Sequence, residues 1–530
     1  MGCKVVLTAD RSLMSDYGGG LFYGFITTAP AGSIKLLPLS GALKFILHRV
    51  PADERGRALI APHGLRRAEA ALIESGVVGA DDVAVVPPES LGNAITGDTK
   101  VIGISVIDPL GKGPASTTFS GEHGIVHAEA FSAMMFRRLM GSKAIKEAKS
   151  KGAMVVVGGP GTWQLEGVGF SKLNIDVLVH GEAETVFPLV VEKILGHELV
   201  APAVFRSKPN LAVDGSKIPL LRGGTVGGLV EISRGCGRGC SFCLPNMRKV
   251  RHRAIGDIIE DVKTNLRFGQ RSICLHAEDV LRYGTSDLVP RHGKVVELFT
   301  EVSKLKEISG LSISHAALAS IATSPETVSS ISEILGLGGR RWMGFQTGIE
   351  TGSPELLGKL MRNKAAPFGP EEWPEVVERA FATCNDNGWV PAATLIINLP
   401  GESPEDIIKT TELVERLRCY RSLIVPLLCV PVTGKGKTMR LVEDAEDYHF
   451  DLYQAVWRHD LRWLKDIATD YTRGNTPPVR IVIKALVELV EKVLDPKVTS
   501  YLESKATAVA HKKDITNAHL CPELKATTAG

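Results

Sequence analysis

Three cysteines lie close together in a glycine-rich stretch, EISRGCGRGCSFC, at residues 231–243. Cys236, Cys240 and Cys243 follow the spacing Cys-x-x-x-Cys-x-x-Cys, and glycines interleave with them. Thiolates hold iron–sulfur clusters, and a four-iron cluster ordinarily takes one cysteine per iron. Three cysteines therefore predict a cluster with one open iron, which can bind another molecule as the open position of a catalytic zinc site does.

A zinc knuckle with a distant fourth ligand, or a loop without metal, is the alternative interpretation of these residues. Structural zinc sites take four protein ligands and are typically built from paired Cys-x-x-Cys motifs. Because this loop supplies three cysteines, we prefer the iron–sulfur interpretation.

The cysteine loop follows the first of six apolar segments that alternate with helical patterns. Six such βα units predict a partial (β/α)6 barrel with its reactive centre at the carboxyl ends of the strands. The predicted strands are 229–234, 272–279, 311–318, 342–350, 390–400 and 423–431.

A second α/β pattern precedes the barrel. Fully apolar strands alternating with helices indicate a parallel sheet covered on both faces, with its ligand beyond the carboxyl ends of the strands. We therefore predict a doubly wound, Rossmann-like domain at 1–222, a partial barrel at 223–442 and a helical C-terminal domain at 443–530. The predicted strands of the first domain are 4–8, 57–62, 101–106, 153–159 and 175–182.

Charge and hydropathy exclude several partner classes. The 530 residues include 62 Lys and Arg and 59 Asp and Glu, for a formal net charge of +3. This balance, without a basic run, gives no indication of a nucleic-acid groove or a membrane patch. No window predicts a membrane span, and the first residues lack the order of a signal peptide. We expect a cytoplasmic protein with no nucleic-acid or membrane partner.

The cysteine motif, with Phe242 before its last cysteine, resembles that of the radical S-adenosylmethionine (SAM) superfamily. The segments GIETGSPELLGKLMR (348–362) and LIINLPGESPEDIIKT (395–410) resemble the fourth-strand and fifth-strand segments of the same family. The resemblance implies a [4Fe-4S] cluster on the three cysteines, SAM on the open iron, and reductive cleavage of SAM to a 5′-deoxyadenosyl radical.

The same resemblance implies which residues contact SAM. Phe242 lies beside the cluster, and Glu350 is the candidate for the ribose hydroxyls, with Gln346 nearby on the same strand. Glu278 and Asp279 stand where the family usually keeps a more glycine-rich segment facing the methionine amino group. A buried strand carboxylate such as Glu350 could instead be an ion-pair partner. No catalytic residue is assigned.

The first domain resembles the cobalamin-binding members of this superfamily, in which GGP and GEgE turns follow sheet strands. Such turns also serve other nucleotides or tight helix packing. The Asp-x-His-x-x-Gly motif that supplies a cobalt ligand elsewhere is absent from residues 1–222, so we expect no protein imidazole on the cobalt. The resemblance implies cobalamin contacts at Asp10, Tyr17, Ser105, Val106, Gly158, Gly159, Pro160, Gly181 and Glu182.

Residues 7–30 form a long predicted loop that resembles archaeal members of this group, among them those that C-methylate a glutamine of methyl-coenzyme M reductase. Together the resemblances imply a cobalamin-dependent radical SAM C-methyltransferase acting on an unactivated carbon of a peptide or protein. A second SAM would restore the methyl group, and a ferredoxin or flavodoxin would supply electrons.

The C-terminal domain carries aromatic residues that could form one side of a peptide groove. Aromatics at helical spacing are usually core residues, so packing alone could explain them. They are Tyr448, Phe450, Tyr453, Trp457 and Trp463.

Three other functions stay open. A radical SAM methylthiotransferase requires further cysteines for an auxiliary cluster, and residues 1–222 offer only Cys3. A radical SAM cyclase or oxidase would use cobalamin without methyl transfer. A non-enzymatic iron–sulfur or zinc protein would not respond to SAM.

Overall fold

The protein has a mixed α/β fold with parallel sheets. The computed structural model describes residues 2–17, 27–31, 47–207, 212–243, 249–339, 341–432, 437–473 and 477–505. Residues 18–26 of the predicted first loop and residues 506–530 of the predicted C-terminal domain lie outside the described residues. Within the described part of the chain, no helix combines the length and the apolar character needed to cross a membrane.

The N-terminal part of the chain is organised by a six-stranded parallel sheet. The first seven strands are β1 (Val5–Ala9), β2 (Ile60–Ala61), β3 (Val83–Val85), β4 (Val101–Ser105), β5 (Met154–Gly158), β6 (Val177–His180) and β7 (Ala203–Arg206). All except β2 join this sheet, in the order β3-β1-β4-β5-β6-β7. Val5 and Leu7 lie in one buried core and Val6 in another, because successive side chains of a strand point to opposite faces.

Helices cover both faces of this sheet. They are α1 (His63–Glu74), α2 (Leu91–Ala94), α3 (Pro114–Phe119), α4 (Phe131–Met140), α5 (Lys143–Ser150) and α6 (Ala183–Leu195). α1 and α6 contribute to the core around Leu7, whereas α4 and α5 contribute to the core around Val6. The parallel sheet of the predicted α/β class is therefore present, but the predicted strand 57–62 does not join it, because β2 pairs with Gly224–Thr225 instead. The two edge strands, β3 and β7, were not predicted.

Six parallel strands form the second body of the fold. The remaining strands are β8 (Gly224–Thr225), β9 (Leu229–Glu231), β10 (Ser233–Arg234), β11 (Arg251–His252), β12 (Ser272–His276), β13 (Gly310–Ile313), β14 (Met343–Glu350), β15 (Trp389–Ile397) and β16 (Leu423–Leu428). The groups β9-β12-β13 and β14-β15-β16 are each parallel. A backbone hydrogen bond joins the two groups: the backbone N–H of Gln346 donates to the Ser314 carbonyl at 2.9 Å.

The predicted strand 229–234 is divided in the structure. β9 ends at Glu231, and β10 leaves the sheet to pair antiparallel with β11. The division has a physical reason, because the β10–β11 pair holds the two ends of the cysteine-containing segment together.

Helices pack outside the second set of strands. They are α7 (Ile255–Arg267), α8 (His292–Ser303), α9 (Leu318–Thr323), α10 (Pro325–Leu335), α11 (Pro354–Leu360), α12 (Trp373–Asp386) and α13 (Pro404–Arg416). Burial alternates along β14, with Phe345 buried on the helix side and Gln346 open on the other side. Gln346 therefore faces the interior of the barrel. A register shift between Gly348 and Glu350 interrupts the alternation before Glu350.

The C-terminal segment is helical where the structure describes it. Its helices are α14 (Leu441–Asp444), α15 (Asp447–Tyr471), α16 (Pro477–Leu489) and α17 (Asp495–Lys505). α15 packs on α13 and β16, and the Asp460 carboxylate accepts the Ile424 amide hydrogen at 2.8 Å. Trp457 donates to Asp495 at 2.9 Å. Helix packing thus accounts for part of the aromatic pattern.

The carboxyl ends of the two sheets meet each other. Helix α3, which follows β4, reaches the end of β16, where the Leu428 backbone amide donates to Thr118 Oγ1 at 2.8 Å. Glu184, after β6, lies 2.7 Å from Arg234 at the end of β10. Because reactive groups of parallel α/β sheets collect at the carboxyl edge, any ligands of the two bodies face one another.

Candidate functional site

The cysteine loop begins at the end of β10 with a series of left-handed glycines. Gly235, Gly237 and Gly239 have φ values of 79°, 69° and 72°. Residues with a Cβ rarely adopt this conformation, so glycine is needed for the chain to turn around the position that the cysteines enclose.

Two buried arginines hold this loop against the barrel. Arg238 donates at 3.0 Å to each of three backbone carbonyls in the segment 363–366, and it lies 3.3 Å from Asp279. Arg282 donates to the carbonyl of Cys236. The loop is therefore anchored to elements after β12 and β14, and Asp279 acts as a partner of Arg238.

The three thiols lie on this anchored loop, and none of them forms a disulfide. A hydrogen bond from the Cys243 thiol lowers the pKa of Cys240 to about 7, and the same bond raises the pKa of Cys243. Burial raises the pKa of Cys236. In the described ranges, no three His, Cys, Asp or Glu side chains surround a single metal ion position. Three separate thiols are the donors that a four-iron cluster with an open iron requires.

Opposite the loop, Glu350 and Lys364 form a half-buried ion pair. Lys364 Nζ lies 3.0 Å from Glu350 Oε1, and Thr394 Oγ1 donates to Glu350 Oε2 at 3.1 Å. Glu350 has a φ of 66°, an uncommon conformation for a residue with a side chain and one that is often found at functional sites. The charge of Lys364 lowers the pKa of Cys240, and the charge of Glu350 raises it. The predicted SAM residue thus lies beside the cysteine loop.

Glu278 approaches the same loop from β12. Burial raises the pKa of its carboxyl group. Its Oε2 atom is buried and has no hydrogen-bond partner among the described residues. Phe242, beside the last cysteine, packs partly buried against the barrel core. Gln346 lies beside His315, to which an isolated parallel β-bridge connects it.

The predicted cobalamin residues lie at the carboxyl ends of four strands of the first sheet. Asp10 follows β1, Ser105 and Val106 end β4, Gly158 to Pro160 end β5, and Gly181 follows β6. A Cβ at Gly159, whose φ is 116°, would lie 2.5 Å from the Val106 carbonyl oxygen. This close approach requires glycine and brings the ends of β4 and β5 together.

The side chains of three of these residues form hydrogen bonds or ion pairs within the protein. The Asp10 carboxylate accepts the Ser12 amide hydrogen at 2.8 Å, and burial raises its pKa to about 6. Tyr17 is buried and donates its hydroxyl hydrogen to the Ser12 carbonyl. Glu182 lies 2.7 Å from Arg251 on β11. Its carboxylate therefore links the turn after β6 to β11.

Sequence reasoning missed Lys364, Arg238 and Arg282. Lys364 is separated from Glu350 by α11, and Arg238 reaches its carbonyl partners across more than a hundred residues. A basic residue between two cysteines of the motif was the one available signal for Arg238.

Comparison with known families agrees with this geometry. Residues 230–414 match the model of the Radical SAM superfamily, so this segment is a radical SAM domain. The matched residues include the cysteine loop, Glu278 and the ion pair of Glu350 with Lys364. A radical SAM domain holds a [4Fe-4S] cluster and SAM, and the three thiols and the open inner face of β14 fit these two groups.

Curated relatives with this domain are methylthiotransferases. The chain is 21% identical to tRNA-2-methylthio-N(6)-dimethylallyladenosine synthase of Orientia tsutsugamushi (strain Ikeda) over 322 residues, which are 59% of this chain and 67% of the relative. It is 27% identical to ribosomal protein uS12 methylthiotransferase RimO of Thermotoga maritima over 191 residues, which are 36% of this chain and 41% of the relative.

Solved structures with a similar fold include the radical SAM methyltransferase TsrM from Kitasatospora setae. Its complex with tryptophan and the SAM analogue aza-SAM superposes with a TM-score of 0.50 at 15% identity, and the match covers 80% of this chain and 73% of that chain. A second TsrM structure, which contains cobalamin and a [4Fe-4S] cluster, gives a TM-score of 0.49. The similarity of fold thus extends beyond the radical SAM domain.

Proposed function

We propose that the protein is a cobalamin-dependent radical SAM C-methyltransferase that methylates an unactivated carbon of a peptide or protein. The observation that carries this proposal is the meeting of the two carboxyl edges, at Thr118 with Leu428 and at Glu184 with Arg234. Methyl transfer needs the donor and the reacting carbon in one enclosed space, and facing edges provide it.

Each set of side chains has a separate role in this proposal. Cys236, Cys240 and Cys243 would hold the cluster on the anchored loop. Glu350 binds the SAM ribose with Gln346 beside it, and Glu278 receives the methionine amino group. When bound, the cluster supplies an electron to SAM and cobalamin supplies the methyl group.

The first sheet supports the cobalamin part of the proposal. The backbone turns after β4, β5 and β6 lie at the edge where ligands of doubly wound sheets bind. Gly159 and Gly181 have φ values of 116° and 91°, so these turns present backbone rather than side chains. A flat ring of large area suits such a surface.

The curated relatives make methylthiolation the second candidate. That reaction needs an auxiliary cluster, and Cys3 is the single cysteine in residues 1–222. Cys3 precedes β1 at the amino edge of the first sheet, near Asp81. It lies at the opposite end of that strand from Asp10, so methyl transfer is favoured.

A cavity of about 720 Å³ supports a peptide or protein substrate. It lies at the carboxyl end of β15 and combines residues of the first body, the barrel and the C-terminal segment, including His123, Glu402, Lys437 and Tyr448. Tyr448 is one of the aromatics predicted to form a groove. Polar groups of both charges line the cavity, as suits an extended peptide with mixed side chains.

The test uses chain reconstituted with iron, sulfide and cobalamin, with reduced flavodoxin or ferredoxin as electron donor. A glutamine-containing peptide of archaeal methyl-coenzyme M reductase is the first substrate to try, with methyl-deuterated SAM. We expect deoxyadenosine and a peptide that gains one labelled methyl group on carbon. The Cys240→Ala variant is the matched control.

Other products would identify the alternatives. A gain of sulfur with the methyl group indicates methylthiolation, and a loss of hydrogen without methyl indicates a cyclase or oxidase. A cluster whose EPR spectrum does not respond to SAM indicates an electron carrier. Deoxyadenosine that forms without any labelled peptide in the tested set contradicts the peptide substrate.

A further inference from the structure

Arg234 lies between the cysteine loop and the first sheet. It is the last residue of β10, and Gly235 and Cys236 follow it directly in the chain. Its Nη2 atom lies 2.7 Å from Glu184 Oε1, in the first turn of α6, and its Nε atom lies 2.7 Å from Glu231 Oε1, at the end of β9. One side chain thus contacts both bodies of the fold, two residues before the first cysteine of the motif.

The guanidinium group of Arg234 has a third carboxylate partner. Its Nη1 atom lies 3.4 Å from Glu182 Oε2, in the turn after β6. A guanidinium is planar and carries five N–H donors in a fixed fork, so it can hold three carboxylates at once, whereas a lysine ammonium acts as a single point charge. We call Arg234 with Glu182, Glu184 and Glu231 the Arg234 network. Its side chains are at most 14% exposed, so separating one partner leaves a buried charge unpaired.

The Arg234 network is fixed on the side of the first sheet. The Glu182 backbone amide donates to Ser207 Oγ at 3.2 Å, and the Ser207 amide donates to the His180 carbonyl at 2.9 Å. A Cβ at Gly181 would lie 1.9 Å from Ser207 Oγ, so the turn after β6 packs directly on the residue that follows β7. This turn therefore stays with the sheet.

On the barrel side, the backbone gives the start of the cysteine loop little support. β10 pairs with β11 over two residues each, with Ser233 opposite His252 and Arg234 opposite Arg251. So short a ladder supplies few hydrogen bonds, and the side-chain contacts of Arg234 decide where the loop begins. The position of the loop and that of the turn after β6 are thus set by the same ion pairs.

We propose that the Arg234 network couples the two cofactor sites of the proposed function, so that a cluster on the cysteine loop tightens the binding of cobalamin at the turn after β6. An arrangement that fixes the loop also fixes the turn, because both share buried ion pairs, and the second ligand then orders fewer groups when it binds. By thermodynamic linkage, cobalamin stabilises the cluster-bearing loop by the same factor. Arg234 is therefore a positioning residue.

This inference rests on the proposed function, but it can be measured without turnover. Absorbance titration gives the affinity of hydroxocobalamin for the full chain with its cluster, and for the full chain after oxidation and chelation remove the cluster. Circular dichroism checks that both forms are folded. The ratio of the two dissociation constants is the coupling factor. We expect about tenfold tighter binding to the cluster-loaded chain.

Two variants break the Arg234 network from opposite sides. Glu184→Gln keeps the shape of the side chain and removes its charge, whereas Arg234→Lys keeps the charge and cannot hold three carboxylates. In both variants the coupling factor should fall to about one. Arg137→Lys is the matched control, because Arg137 forms two hydrogen bonds with Glu129 within the first body, and it should keep the coupling.

A distance measurement separates lost coupling from lost stability. With the cluster and cobalamin both in paramagnetic states, dipolar EPR gives the distribution of distances between them. We expect one narrow distribution in the unmodified chain and in Arg137→Lys, and a broader one in Glu184→Gln. A variant that is only less stable would bind less of each cofactor and keep the narrow distribution.

A coupling factor of about one in the unmodified chain would overturn this inference alone. So would a factor that stays unchanged in either network variant, or an equally narrow distance distribution in Glu184→Gln. No binding of cobalamin to the unmodified, cluster-loaded chain would overturn the proposed function and this inference together. Coupling without methylation of any peptide counts against the proposed substrate alone.

Discussion

Lys364 Nζ lies 3.0 Å from Glu350 Oε1, and both side chains are largely shielded from solvent on the inner face of the barrel. The pair lies beside Cys240, and the charges of both residues shift the pKa of the Cys240 thiol. Glu350 therefore balances the charge of Lys364 next to the cysteine thiols, and its second oxygen accepts a hydrogen bond from Thr394. Under the proposed function it would also bind the SAM ribose.

Glu350→Gln should weaken SAM binding about tenfold, because one charged hydrogen-bond acceptor is lost and Lys364 is left without its counter-ion. SAM affinity is measured from the change in the EPR spectrum of the reduced cluster. Glu355→Gln, in an exposed pair with Lys409, is the control and should bind SAM normally. Unchanged SAM affinity in Glu350→Gln would remove Glu350 from the site.

Arg238→Ala should lower the free energy of unfolding by about 3–5 kcal/mol, because it leaves the buried Asp279 carboxylate unpaired. Iron retention should fall as well, since the segment 363–366 loses its anchor to the cysteine loop. Arg291→Ala breaks an exposed pair with Asp287 and should change stability by about 0.5 kcal/mol or less. Equal losses in the two variants would contradict this role.

The sequence predicted the parts of the site that lie within one segment. Cys236, Cys240 and Cys243 are close together in the chain, and Gln346 lies on the open face of β14 because strand side chains alternate. These relationships depend on local geometry alone. The parallel sheets were likewise predictable from the fully apolar strands.

The sequence could not predict relationships that depend on tertiary packing. Glu182 lies in the turn after β6, and its ion-pair partner Arg251 comes from a distant segment of the chain. Arg238 and His63 acquire their surroundings when separate parts of the chain meet. No local pattern encodes those meetings, because they depend on how the two sheets pack.

Cys240→Ala should abolish both iron retention and deoxyadenosine formation, because two thiolates do not hold a four-iron cluster stably. Iron content, cluster absorbance and deoxyadenosine are measured together on the reconstituted chain. Cys274→Ala removes a buried thiol of the barrel core and should retain iron. A Cys240→Ala protein with normal SAM cleavage would contradict the cluster assignment.

Cobalamin bound to the chain should carry no histidine ligand. The Asp-x-His-x-x-Gly motif is absent from residues 1–222, and His180, which ends β6, already lies 3.1 Å from Glu166. The EPR spectrum of the reduced cobalamin form should therefore lack nitrogen coupling from a protein imidazole. Coupling that disappears in His180→Asn would reverse this prediction.

Asp460 should make the chain less stable as the pH rises. Burial raises its pKa to about 8, whereas an unfolded aspartate titrates near 3.8. Between these values the folded state binds the extra proton, so the stabilising contribution is complete below pH 3.8 and is lost as the pH approaches 8. Asp460→Asn can still accept the Ile424 amide hydrogen but cannot ionise. Its melting temperature should therefore fall less between pH 5 and pH 8 than that of the unmodified chain, and it should be the more stable protein at pH 8.

Asp466→Asn, exposed on the same helix, is the control and should follow the unmodified chain. If both variants show the same pH dependence, the buried carboxyl group does not titrate in this range.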